Sequence, residues 1–204
     1  MHYRKKKLKR IFYRLFIQIK VHILTMGNKD TQLMYRCKIF DIWEEEVLLP
    51  DGKSTKQNWI DHKPTVAVVA VNDREEILLI RQYRNSIKKN ILEIPAGTME
   101  NTEISPVMCA QRELAEETGF QAGKFVQLFE GYLLPGYCNE YMYFFLARDL
   151  FAEPLPPDED EFIEIIPTSF FRAKELLKQL DIIDVKTALG IILADNYISS
   201  GQPF

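Results

Sequence analysis

Arg112-Glu113-Leu114-Ala115-Glu116-Glu117-Thr118-Gly119-Phe120 is the stretch on which the fold of this 204-residue chain turns. Just upstream, Ser105-Pro106 is a helix start: a cap residue whose side chain takes an orphan amide, then a proline whose missing N–H costs nothing in the first turn. Gly119 is placed to end the helix, so the spacing predicts a helix over about 106–118. Within it Val107, Ala110, Leu114 and Thr118 share one face, and Glu113, Glu116 and Glu117 form an acidic stripe beside it, at the rim of the core. Like charges three or four residues apart on a helix repel by roughly 0.2–0.5 kcal/mol per pair. A divalent cation turns that repulsion into attraction, and clustered hard oxygens suit Mg²⁺, or Mn²⁺, which bind carboxylates together with substrate phosphates. Three glutamates alone are more often a solvated face paired with lysines. The surrounding residues decide against that.

Working outward, Gly97 and Glu103 precede the helix, and the whole segment resembles the Nudix box, G-x5-E-x7-R-E-U-x-E-E-x-G-U with U apolar. Seven fixed residue types coincide, an event of roughly 10⁻⁸ per register by chance at ordinary residue usage. One departure stands out: eight residues, Ile104 to Gln111, separate Glu103 from Arg112 where the family pattern has seven. The extra residue is expected in the loop before Pro106, leaving the helical glutamates their geometry and altering the place of Glu103. The resemblance implies an α/β/α sandwich with a mixed β-sheet, preceded by a small N-terminal β element. It also implies hydrolysis of a pyrophosphate bond, with Glu113 and Glu117 as principal metal ligands, Glu116 completing the cluster and Arg112 orienting the carboxylates.

Flanking segments resemble the ADP-ribose and ADP-sugar pyrophosphatase branch of that family: Ile80-Arg81-Gln82-Tyr83-Arg84, Leu92-Glu93-Ile94-Pro95-Ala96-Gly97, then Leu134-Pro135-Gly136 with Glu140. What the branch implies is ADP-ribose as substrate, with AMP and ribose 5-phosphate as products. The carbonyl of Ala96 joins the metal ligands, and Arg81, Arg84, Glu93, Pro135 and Glu140 contact substrate. A general base comes from the late acidic loop, Glu161 first and Glu159 next. Adenine needs an aromatic to stack on, which Phe40, Trp43 or Trp59 offers. Branch members are commonly homodimers that build the site from both chains. Two rivals remain: another nucleotide sugar such as UDP-glucose or GDP-mannose, and a non-catalytic Nudix module that binds ADP-ribose, although such modules typically lose box glutamates that this chain keeps.

The rest of the chain sets bounds. Net charge is −3, yet residues 1–25 carry eight basic side chains and no acid, so the body is acidic. That argues against nucleic-acid binding, which needs a basic face to displace counterions. Leu8, Ile11, Phe12, Leu15, Phe16 and Ile19 trace an apolar stripe on a basic helix. Contact with an anionic membrane surface is the minority reading of it; packing on protein, or an extension upstream of a start at Met26, carries more weight. Three cysteines without CxxC spacing point to a reducing cytoplasm and away from disulfides or zinc. The expected organisation is an extension over 1–30, a β element over 31–62 that dimerises and binds nucleotide, and a hydrolase domain over 63–204. Short strands are expected between Tyr35 and His62 about a Pro50-Asp51-Gly52 turn, and core strands at Thr65–Val71 and Ile77–Ile80. Further strands are expected near 125–132 and 140–147, an acidic loop over 156–161, and helices near 168–179 and 184–199.

Overall fold

The computed structural model describes residues 31–103, 105–156 and 162–202. The helix expected in the basic N-terminal segment and the acidic loop expected to carry Glu159 and Glu161 lie outside the described residues. The chain divides into two compact units, one including Asp41–Trp59 and the other Cys37–Phe40 with the chain from Ile60 onward.

The smaller unit is built on a three-stranded sheet in the order β1 (Gln32–Arg36), β2 (Phe40–Leu48), β3 (Ser54–His62). The β2–β3 reversal falls at the expected turn: the Leu49 amide donates to the Lys53 carbonyl at 2.7 Å, and Gly52 takes a φ of 83° that suits glycine. Trp43 on β2 and Trp59 on β3 are both half-buried.

In the larger unit, β4 (Thr65–Ala70) is buried at every residue. Side chains alternate across a strand, so both faces must be covered. Val66, Val68 and Ala70 pack with Cys109, Ala110 and Leu114 of helix α1 (Pro106–Thr118), while Ala67, Val69 and Val71 pack with Ile191, Leu193 and Ala194 of helix α3 (Val185–Ser200). Each valine, leucine or isoleucine among them contributes about 1.5–3 kcal/mol on burial. Gly190 lets α3 lie close to the sheet, since a Cβ there would come within 2.6 Å of Ile94. Around β4 a mixed sheet forms in the order β7 (Ala96–Thr98), β4, β9 (Tyr141–Ala152), β8 (Phe120–Tyr132), with β4 parallel to β9 and the other pairs antiparallel. Helices on both faces of this mixed sheet make the expected α/β/α sandwich.

A second, antiparallel sheet runs β10 (Ile163–Ser169), β5 (Glu76–Arg84), β6 (Lys89–Glu93). β10 was not expected. Its Ile-Glu-Ile-Ile-Pro-Thr-Ser is β-branched, and Pro167 is tolerated because β10 is an edge strand. The helix expected from Thr168 therefore starts later, as α2 (Phe170–Lys178), with Ser169 capping the Arg172 amide at 3.2 Å. Among the described residues no helix is long and apolar enough to cross a membrane.

Candidate active site

α1 begins and ends where its sequence predicts, with Ser105 accepting from the Met108 amide and Gly119 in the left-handed region at φ 75°. Its buried arc differs from the expected one. Val107 is 42% exposed, in a first turn with little packed on it, whereas Cys109 and Ala115 are fully buried. Glu113 and Glu117 sit inside that arc, 9% and 5% exposed, instead of at its rim. They are accommodated because α1 packs there on the polar backbone of the 96–98 segment as well as on apolar side chains: Glu117 Oε2 accepts from the Ala96 amide at 3.0 Å. Gly97 is required for the same approach, since a Cβ at that position would overlap the Glu113 carboxyl group.

Arg112 holds the acidic cluster together. It pairs with Glu103 at 2.8 Å, Glu113 at 2.9 Å and Glu116 at 2.6 Å, and donates to the Thr98 carbonyl at 3.0 Å. Glu103 thus reaches Arg112 despite the extra residue before α1, and it also accepts from the Glu100 amide at 2.7 Å. Burial pushes the Glu103 carboxyl up, but the Arg112 guanidinium more than reverses this and holds it below the usual carboxylate range. Cys109, buried beside Glu113 and Glu103, has its thiol pushed well above the ordinary value, so it stays protonated.

Three carboxylates on one guanidinium leave this group net negative. Among the described residues no three acidic, histidine or cysteine side chains surround a common point as ligands; Arg112 stands between them. The donor chemistry nevertheless fits a hard divalent cation: Glu113, Glu116, Glu117 and the Ala96 carbonyl offer oxygen alone, on a rigid helix and the strand it touches.

These groups open on a cleft of about 680 Å³ lined by Ala96, Gly97, Glu113 and Glu116, and elsewhere by Thr65, Arg84, Glu93, Glu140, Asp184 and Lys186. Arg84 donates to both oxygens of Glu93, at 2.5 and 2.7 Å, and Lys186 donates to the same carboxylate. Burial pushes Glu93 up, and the two cations more than offset it, so this 1%-exposed carboxyl lies below the usual range. Glu140 accepts from the Thr65 hydroxyl at 2.9 Å.

Of the residues singled out in the sequence, Ala96, Arg84, Glu93, Arg112, Glu113, Glu116 and Glu140 are therefore brought to one cleft, with Glu117 bonded to its wall. Arg81 is not. Three residues from Arg84, it points to the opposite face of β5, where it pairs with Glu164 of β10 at 2.7 Å. Pro135 is exposed in the turn after β8 and does not line the cleft. Asp184 and Lys186 were missed as site residues; the only signal was Asp184 as a helix cap, which places a backbone and says nothing of a cleft.

A family model described as the NUDIX domain matches residues 61–188. A Bacillus subtilis protein named ADP-ribose pyrophosphatase is 38% identical over 156 residues, 76% of this chain and 84% of that protein. An Escherichia coli protein named GDP-mannose pyrophosphatase is 35% identical over 138 residues, 63% of this chain and 69% of that one. The crystal structure of an ADP compounds hydrolase superposes with a TM-score of 0.78, covering 87% of this chain and 96% of that one at 22% identity, a likeness of fold. Together with the acidic cluster on α1, the match over 61–188 establishes that this chain belongs to the NUDIX family, as a Nudix hydrolase.

Proposed function

We propose that the protein hydrolyses the pyrophosphate bond of ADP-ribose to AMP and ribose 5-phosphate with Mg²⁺ bound at Glu113, Glu116, Glu117 and the Ala96 carbonyl. The observation that carries this reading is the cleft, which holds the α1 carboxylates together with the Arg84 cation, as a doubly charged diphosphate requires. The B. subtilis relative's name supports the choice of sugar. The bound cation supplies Lewis acidity toward the phosphoryl oxygens and the attacking water. Arg84, its plane fixed by Glu93, presents its remaining N–H donors to phosphate. Arg112 keeps the glutamates oriented without touching substrate. Glu161, or failing it Glu159, takes the proton from the attacking water, and Glu140 contacts the substrate. Trp43 or Trp59 stacks on adenine.

Incubation with ADP-ribose and Mg²⁺ is expected to give AMP and ribose 5-phosphate in equal amounts, faster than any product from GDP-mannose or UDP-glucose. A much higher kcat/KM on GDP-mannose, the substrate in the E. coli relative's name, would move the assignment to that sugar and leave the chemistry intact. No cleavage of any of the three with Mg²⁺ or Mn²⁺ would leave a binding module as the reading. A cytoplasmic homodimer built through β1–β3 is the proposed form of the enzyme; analytical ultracentrifugation giving the monomer mass of 23.9 kDa at assay concentration would reject the dimer.

A further inference from the structure

Asp184-Val185-Lys186-Thr187, at the start of α3, lies some ninety residues from the strands it touches, yet its polar groups close a ring with them. Lys186 donates to Glu93 and, at 2.9 Å, to Asp184. Asp184 caps the Thr187 amide at 2.9 Å and accepts from the Thr187 hydroxyl at 2.6 Å. That hydroxyl in turn accepts from the backbone amide of Ile94 at 2.9 Å, next in sequence to Glu93. Both the side chain of Glu93 and the backbone leading to Ala96 are thereby fixed by one helical turn. Lys186 is only 12% exposed along its side chain and Thr187 is fully buried, so the ring is not a solvated surface pairing.

The arrangement has an electrostatic consequence at the cleft. Arg84 and Glu93 alone form a neutral pair, in which the guanidinium has little net charge to offer a phosphate. Asp184, which also pairs with Lys186 at 2.9 Å, adds a second negative charge, so without Lys186 this group would be net negative and with it two cations and two carboxylates balance. Arg84 and Lys186 both line the cleft. Arg84 is also within electrostatic reach of both Glu117 and Asp184, which places it next to the carboxylates proposed to hold the cation.

We propose that Lys186 is a positioning residue for phosphate binding: by sharing Glu93 it holds the Arg84 fork in place and offsets the carboxylate charge that would otherwise leave this group net negative. This rests on the pyrophosphatase reading for the identity of the ligand, not for the geometry. The test compares wild type, Lys186→Met and Lys186→Arg as full chains, reading KM and kcat with Mg²⁺, the Kd of ADP-ribose in EDTA by calorimetry, and Tm. Lys186→Met is expected to raise Kd and KM about tenfold, as loss of a supporting partner of a binding group typically does, with kcat within about threefold of wild type. Lys186→Arg, which keeps the charge, is expected to recover most of the loss. Unchanged Kd and KM in Lys186→Met would overturn the proposal, as would a fall in Tm and kcat that leaves KM untouched, the mark of a merely structural lysine. If wild type neither binds nor cleaves ADP-ribose but cleaves another nucleotide sugar, the substrate reading fails alone. The three proteins are then compared on that sugar, with the same outcomes deciding.

Discussion

Glutamine at position 117 is expected to lower kcat on the order of 10³-fold, the scale seen when a group that manages transition-state charge is removed. The substitution is nearly isosteric, and its amide oxygen can still accept from the Ala96 amide that Glu117 accepts from at 3.0 Å. At 5% exposure the position is packed tightly enough for shape to govern folding, so the loss should not come with unfolding. What disappears is a negative charge where the cation is to be held. Steady-state kinetics with saturating Mg²⁺, beside a thermal melt, reads both parts. A variant that kept more than a tenth of wild-type kcat would remove Glu117 from the metal site; one that lost most of its Tm would show that the charge holds the fold.

Replacing Arg112 by methionine is expected to have the largest effect on stability, about 3–5 kcal/mol at neutral pH, as when one partner of a buried ion-pair network is deleted. Methionine fills much of the space of the arginine stem and supplies no charge. Glu103, Glu113 and Glu116 would then face one another with their shared cation gone, at side-chain exposures of 7%, 11% and 21%. The pH dependence follows from the sign of the shift. In the wild type Glu103 is held below its ordinary value of 4.5, so its contribution is present above that value and is lost as pH falls through the lowered one. In the variant, burial and like charge lose the guanidinium that outweighed them, with the Glu100 amide still bonded, and raise the same carboxyl, so acidification relieves the repulsion. The difference in unfolding free energy between the two proteins should be greatest near pH 7 and shrink as pH falls below about 4.5. Urea titrations at several pH values would show it, and a difference that grew on acidification would refute the account.

Local chemistry was legible in advance wherever a short stretch is self-sufficient. α1 is delimited by a serine–proline start and a glycine end, and those residues act within one turn of themselves. β4 reads as a core strand because an unbroken β-branched run can be satisfied only with both faces covered. The acidic stripe was legible as a stripe, but three glutamates at helical spacing read alone as a solvated face, and it was Gly97, Arg112 and Gly119 around them that gave the segment its family resemblance. β10 was not legible: Pro167 argues against a strand until β5 is present to pair one edge of it.

Pairings between distant segments are what only the tertiary structure decided. The sequence presents Arg81 and Arg84 as equivalent, yet strand alternation combined with the position of β10 gives one to Glu164 and the other to Glu93 and the cleft. It presents Glu113 and Glu117 as rim residues, and the close passage of Gly97 draws them inward. It offers no hint that Lys186 shares a carboxylate with Arg84. By itself the sequence determined the family, the acidic helix and the charge that helix carries, because these depend on residues within a few positions of one another. Which cations meet which carboxylates depends on where separate strands and helices come to rest, and that is set by packing over the whole core.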